Sequence, residues 1–86
     1  MAITGILIIG ERTNSTGSKA FRELLFKDDW DGMVHMAQEQ VAEGAHVLDV
    51  SVAWTGRDEK RDMDEVMKRF ATAVNIPIMV DSTQTD

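Results

Sequence analysis

The chain has no cysteine and a single proline among its 86 residues. Without cysteine there are no disulfides and no thiolate metal sites, a usage compatible with a reducing cytoplasm. No apolar run approaches the roughly 20 residues that a bilayer-spanning helix needs. The run Ile6-Leu7-Ile8-Ile9 is too short for a secretory signal, and no basic segment precedes it. A soluble protein of the cytoplasm, with no membrane partner, is therefore expected. Positive charge is scarce: 9 Lys and Arg stand against 15 Asp and Glu, a formal net charge of −6. Nucleic-acid affinity comes mainly from Lys and Arg neutralising phosphates, so nucleic acid is not an expected partner. Neither a Walker loop nor a dinucleotide fingerprint surrounds Gly17. Two isolated histidines, His35 and His46, make no metal-ligand set. His35 is expected in solvent, and His46 is expected to satisfy a local hydrogen bond.

What is present is ordinary for a soluble domain, with 43% hydrophobic and 28% charged residues. A domain of this length buries only about 60–65% of the surface of its unfolded chain, so its core is marginal. There are no repeats, linkers or low-complexity stretches. Apolar periodicity instead alternates between strand and helix. A first strand is predicted over about 5–10, and Ser18 caps a short helix through Phe26. Asp28 or Asp29 starts a second helix whose stripe is Trp30, Met33, Val34, Ala37 and Val41. Gly44 suits the left-handed position just past its end. A second strand covers about 46–52, and the loop Trp54-Thr55-Gly56-Arg57-Asp58 leads to a helix near 61–74. That helix carries the stripe Met63, Val66, Met67, Phe70 and Val74, with Asp64–Lys68 and Glu65–Arg69 as i, i+4 ion pairs. Asn75 is assigned the left-handed cap, and Pro77 stops the helix. A third strand follows at about 78–81. The result is an α/β class, a parallel β-α-β-α-β segment with right-handed crossovers, and it reads as the beginning of a larger protein.

Polar chemistry gathers where these strands end. Gly10-Glu11-Arg12-Thr13-Asn14 follows a buried strand directly, and parallel α/β folds collect ligands beyond the carboxyl ends of their strands. Asp49 and Ser51 share one face of the second strand, while Leu48, Val50 and Val52 share the other. Asp81 closes the third strand. An acid thus stands at or near the end of each: Glu11, Asp49 and Asp81. Magnesium would use one or two such carboxylates with several waters. A neutral, hydrogen-bonded organic ligand ranks ahead of it, since nothing supplies a phosphate cradle. Trp54 either covers a flat ligand or fills space. Arg57, Lys60 and Arg61 either meet an anionic substrate tail or form a solvated helix start, the latter being favoured.

Four motifs together carry a resemblance. They are Gly10-Glu11-Arg12-Thr13-Asn14, Gly17-Ser18-Lys19-Ala20-Phe21-Arg22, Gly44-Ala45-His46-Val47-Leu48-Asp49-Val50 and Val80-Asp81-Ser82-Thr83. In order and spacing they resemble the pterin-binding domain of the cobalamin-dependent methionine synthase family, over essentially the whole chain. More distantly the chain is similar to dihydropteroate synthase and to the methyltransferase serving the corrinoid iron–sulfur protein. The resemblance implies a TIM (β/α)8 barrel of the dihydropteroate synthase-like type, of which residues 1–86 would be the first three strands. It implies 5-methyltetrahydrofolate as substrate and methyl transfer to cobalamin carried by another domain. Glu11, Asn14, Asp49, Ser51 and Asp81 become the pterin-binding residues, with Ser51 standing where relatives often carry Asn. No catalytic residue and no metal ligand is assigned within this segment.

An isolated three-stranded piece leaves two strand edges and one sheet face uncovered. It is expected to be inactive alone, to bind folate weakly or not at all, and to associate as a homo-oligomer. Two alternatives stand beside this reading: a dihydropteroate synthase-type pterin enzyme, and a non-catalytic, self-assembling unit.

Overall fold

The computed structural model describes residues 8–80. Among these residues, three strands and three helices follow in the order β1 (Ile9–Gly10), α1 (Lys19–Phe26), α2 (Trp30–Ala42), β2 (Val47–Val50), α3 (Glu59–Ala73) and β3 (Ile78–Val80). The strands form one parallel sheet in the order β1-β2-β3. Strand β2 is shorter than the predicted 46–52. The rest of that span is bridged singly, Ser51 opposite Asn14. The 5–7 part of the first strand, and Asp81 at the end of the third, lie outside the described residues.

Each helix begins where a short polar side chain can take up an unpaired amide. Ser18 Oγ accepts from Phe21 N at 3.2 Å, Asp29 Oδ1 from Gly32 N at 3.0 Å, and Asp58 Oδ1 from Arg61 N at 3.1 Å. Helices α1 and α2 end in the same double hydrogen-bond pattern, which requires a left-handed residue after the cap. In α2 that residue is Gly44, at φ 104°. In α1 it is Asp28, at φ 53°, with Asp28 N and Asp29 N donating to Leu25 and Leu24 carbonyls. Asn75 does not take the role predicted for it. Val74 leaves α3 extended (φ −129°, ψ 150°), because β3 starts at Ile78 and Pro77 already favours an extended approach.

The core lies between the helices and one face of the sheet. Phe21 and Leu25 from α1, Met33 and Ala37 from α2, Val66 and Phe70 from α3, and Leu48, Val50 and Val52 form one buried cluster. Burying a side chain of this kind is worth about 1.5–3 kcal/mol. By the strand period of two, Val47 and Asp49 face the other way, in line with Ile9 and Met79. Ile9 and Met79 are exposed there, so this second face has little cover. The predicted split of the second strand into an apolar and a polar face is thus observed.

Candidate functional site

The segment after Gly10 is fastened to β2 rather than left as a free loop. Ser51 N donates to the Thr13 carbonyl at 3.1 Å, and Ser15 N donates to the Ser51 carbonyl at 2.9 Å. Thr13 Oγ1 donates to the Asp49 carbonyl at 2.8 Å, and Ser15 Oγ to the Ala53 carbonyl at 2.6 Å. Thr13 and Ser15 are fully buried. Their hydroxyls are consumed by backbone, so Thr13 is a fastener and not a ligand group. The alternation then turns Asn14, between them, to the opposite side.

Asn14 Oδ1 accepts from Thr16 N (2.9 Å), Thr16 Oγ1 (2.8 Å) and Gly17 N (3.1 Å). Its carbonyl end is thereby fixed, and its amide nitrogen keeps both donors, with no partner among the described residues. Opposite stands Ser51, almost wholly buried, whose Oγ accepts from Ala53 N at 3.4 Å. Asp49, two residues earlier on the same face, is half-buried, and its carboxylate has no partner among the described residues. An amide donor, a hydroxyl and a carboxylate acceptor therefore converge at the carboxyl end of β2. Glu11 stands apart from them: it is exposed and lines a cavity of about 280 Å³ at the β1 edge, with Gly10, Arg12, Gln40 and Glu43. Asp81 lies outside the described residues. No cluster of three or more His, Cys, Asp or Glu suited to a metal occurs among the described residues.

Several polar residues matter more than their sequence setting suggests. Gln40 is buried, its Oε1 accepts from Arg12 N at 2.9 Å, and its Nε2 is buried without a partner among the described residues. Its spacing from Met33 and Ala37, seven and three residues, was the available signal that it faces inward. Arg12 pairs with Glu43. Arg57 is neither a solvated helix start nor open to a substrate tail. Its Nε and Nη2 hold both oxygens of the fully buried Asp62 at 2.7 and 3.0 Å, and Nη2 also reaches Asp28 at 2.6 Å. Hydrogen bonding to Asp62, then to Asp28, raises the Arg57 pKa against the cost of burial. Asp28 also accepts from Arg61 at 3.1 Å. The histidines behave as predicted: His35 is exposed, and His46 Nδ1 accepts from Ile8 N at 3.0 Å. Trp30 packs on the core beneath the guanidinium groups of Arg61 and Arg69.

Hydrogen bonds from Arg57 and Arg61 hold the Asp28 carboxyl below its ordinary value, and those from Arg69 and Lys68 do the same for Glu65. A carboxyl whose folded pKa is depressed adds stability above its unfolded pKa, and loses it as pH falls through the folded value. Urea midpoints are thus expected to fall as the pH drops below about 4. Asp28→Asn, which tolerates the left-handed backbone, is expected to make that acid limb shallower. An unchanged limb would assign it to other carboxylates.

Parallel βα units with polar groups at the strand ends define a piece of a parallel α/β domain. The chain belongs to the pterin binding enzyme family, whose profile matches residues 10–86. It is 46% identical over 80 residues to methionine synthase of Mycobacterium tuberculosis (strain ATCC 25618 / H37Rv), covering 93% of this chain and 7% of that protein. To methionine synthase of Mycobacterium leprae (strain TN) it is 44% identical over 79 residues, covering 92% and 7%. The chain thus spans about 7% of the length of these curated relatives. Its three strands are part of the family's (β/α)8 barrel. No helix among the described residues is long and apolar enough to cross a membrane.

Proposed function

We propose that this chain is part of the folate-binding domain of a cytoplasmic methyltransferase that passes the methyl group of 5-methyltetrahydrofolate to cob(I)alamin in methionine synthesis. The observation that carries this reading is the pairing of Thr13 and Ser15 with β2 and its extension. It places the Asn14 amide, the Ser51 hydroxyl and the Asp49 carboxylate at one strand end of a pterin-family chain. The aminopyrimidine edge of a pterin offers paired N–H donors, which a carboxylate accepts, and ring acceptors, which an amide or hydroxyl satisfies. Asp49 and Asp81 take the first role, Asn14 and Ser51 the second, and Glu11 contributes from the first loop. These residues bind and orient the ring. The methyl acceptor, cob(I)alamin, is carried by another domain. Protonation of the departing nitrogen is a general-acid demand that the residues assigned here do not meet, so turnover by this chain alone is not expected. The names of the relatives favour methyl transfer over dihydropteroate synthase-type carbon–nitrogen bond formation.

Exposed Ile8, Ile9, Met79 and Val80, with a groove of about 740 Å³ between α3 and Val80, support the further reading that isolated copies associate. Calorimetry with millimolar 5-methyltetrahydrofolate is expected to show weak, saturable binding that Asp81→Ala and Asp49→Ala abolish. Sedimentation of the same sample is expected to show species heavier than 9.6 kDa. Association without any ligand heat would favour the non-catalytic assembly unit. A ligand-free, cooperatively melting monomer would sink both readings.

A further inference from the structure

All five arginines lie among the described residues, and four of them meet carboxylates. Arg12 pairs with Glu43, Arg57 with Asp62 and Asp28, Arg61 with Asp28, and Arg69 with Glu65. Arg22 has no carboxylate partner among the described residues. It is half-buried, its Nη1 donates to the Ser15 carbonyl at 3.3 Å, and its guanidinium lies 4.8 Å from the ring centroid of Trp54. Trp54 in turn meets Phe26 edge to face, at 5.5 Å and 64°. Both rings keep exposed surface, 38% for Trp54 and 48% for Phe26.

Helix stability does not account for this placement, because Arg22 stands in the first turn of α1, where the macrodipole disfavours a cation. What the position does offer is a planar fork with unused donors, held still by an aromatic face and a carbonyl in a chain of net charge −6. Such a fork suits a carboxylate. Its location is equally specific. Ser15 follows Asn14 and bonds to both Ser51 and Ala53, and Trp54 follows Ala53. The guanidinium therefore stands at the same end of the sheet as Asn14 and Ser51, one step further from the strands.

Resting on the pterin reading above, we propose that Arg22, seated on Trp54, receives the carboxylate of the ligand's aminobenzoyl-glutamate tail. The exposed edges of Trp54 and Phe26 seat the benzoyl ring. The pterin end is read by Asn14, Asp49 and Ser51, and the tail end by α1 and the loop after β2.

The test is NMR of the isotopically labelled chain with three millimolar probes: 5-methyltetrahydrofolate, 6-methyltetrahydropterin, which lacks the tail, and 4-aminobenzoylglutamate, which lacks the pterin. The Arg22 Nε–H resonance is expected to move with the first and third probes and not with the second. Arg22→Gln is expected to weaken folate binding roughly tenfold or more, with the tail-free pterin within about twofold of its original affinity. Arg22→Lys, which keeps charge without the fork, is expected to fall between. Unchanged resonances elsewhere in the spectrum establish that the variants fold. If the tail-free pterin moves Asn14 and Ser51 while Arg22 ignores both tailed probes, this proposal fails and the pterin reading stands. If the tail-free pterin leaves Asn14 and Ser51 unmoved, the pterin reading fails and takes this proposal with it.

Discussion

Replacing Arg57 with methionine is expected to cost about 3–5 kcal/mol, the effect of leaving a buried charge without its partner. Asp62 is fully buried and gives both carboxylate oxygens to Arg57. Once the guanidinium is gone, the nearest cation is Arg61, whose Nη1 lies 3.9 Å away and whose side chain is half exposed. Whole domains are stable by only about 5–15 kcal/mol, so a cost of this size is a large share of what holds any one of them folded. The variant is therefore expected to lose most of its urea midpoint, followed by the fluorescence of Trp30 and Trp54. Pairing Arg57→Met with Asp62→Leu is expected to recover much of the loss, because the buried charge that makes the single change costly is removed too. A single-variant cost below about 1 kcal/mol would mean that water reaches Asp62. The cluster also bears on function, since Arg57 ties the loop after β2 to Asp28 in the turn between α1 and α2. Trp54 lies on the first of these segments, and Phe26 ends the helix that leads into the second.

The residues that could be read from sequence were those whose role is local. Ser18 caps the helix assigned to it, Asp29 is the one of the two candidate aspartates that caps the next, Gly44 takes its left-handed turn, and Leu48, Val50 and Val52 turn to the helices as their alternation requires. Each follows from chain geometry within a few residues. Glu65–Arg69 forms at 2.6 Å, but Lys68 turns to Glu65 at 3.0 Å instead of to Asp64, a choice of rotamer that spacing does not make. Residue type alone points to Asn75 as a left-handed cap, and the nearness of β3 overrides it. Asp62 and Gln40 find their partners on other elements, and a polar residue in a helix reads as solvated until those elements are placed. Arg57, read as meeting a substrate tail or as a solvated helix start, instead closes on Asp62 and Asp28. The candidate site divides in the same way. Asp49 and Ser51 share a face by periodicity, whereas the fastening of Thr13 and Ser15 to β2 depends on strand register. That register is what brings Asn14 to Ser51.

The register itself hangs on Gly10, and Gly10→Val is expected to be nearly as damaging as the loss of Arg57. A Cβ on Gly10 would lie 2.7 Å from Gln40 Oε1 and 2.9 Å from Leu48 Cδ2, closer than carbon and oxygen or two carbons can pack. Leu48 is fully buried in the core and cannot yield without disturbing it. The Gln40 side chain can swing, but its Oε1 is the acceptor for Arg12 N, and its Nε2 already lacks a partner among the described residues. Overpacking of this kind costs about 1–3 kcal/mol, and an orphaned amide adds about 1–3. The alternative is for β1 to move away from β2 and α2, which would draw Thr13 and Ser15 off the strand they fasten. Gly10→Val is therefore expected to lower the urea midpoint and to speed amide exchange at Ser15 and Ser51, whose hydrogen bonds make the fastening. Gly17→Ala is the matched control. The nearest atoms to its Cβ would be those of the Asn14 side chain, at an ordinary contact distance of 3.7 Å, so the change is expected to stay within about 0.5 kcal/mol and to leave that exchange unaltered. Equal stability and equal exchange in the two variants would show that the spacing of β1 against α2 is soft, and that Asn14 is held beside Ser51 by its own turn rather than by Gly10.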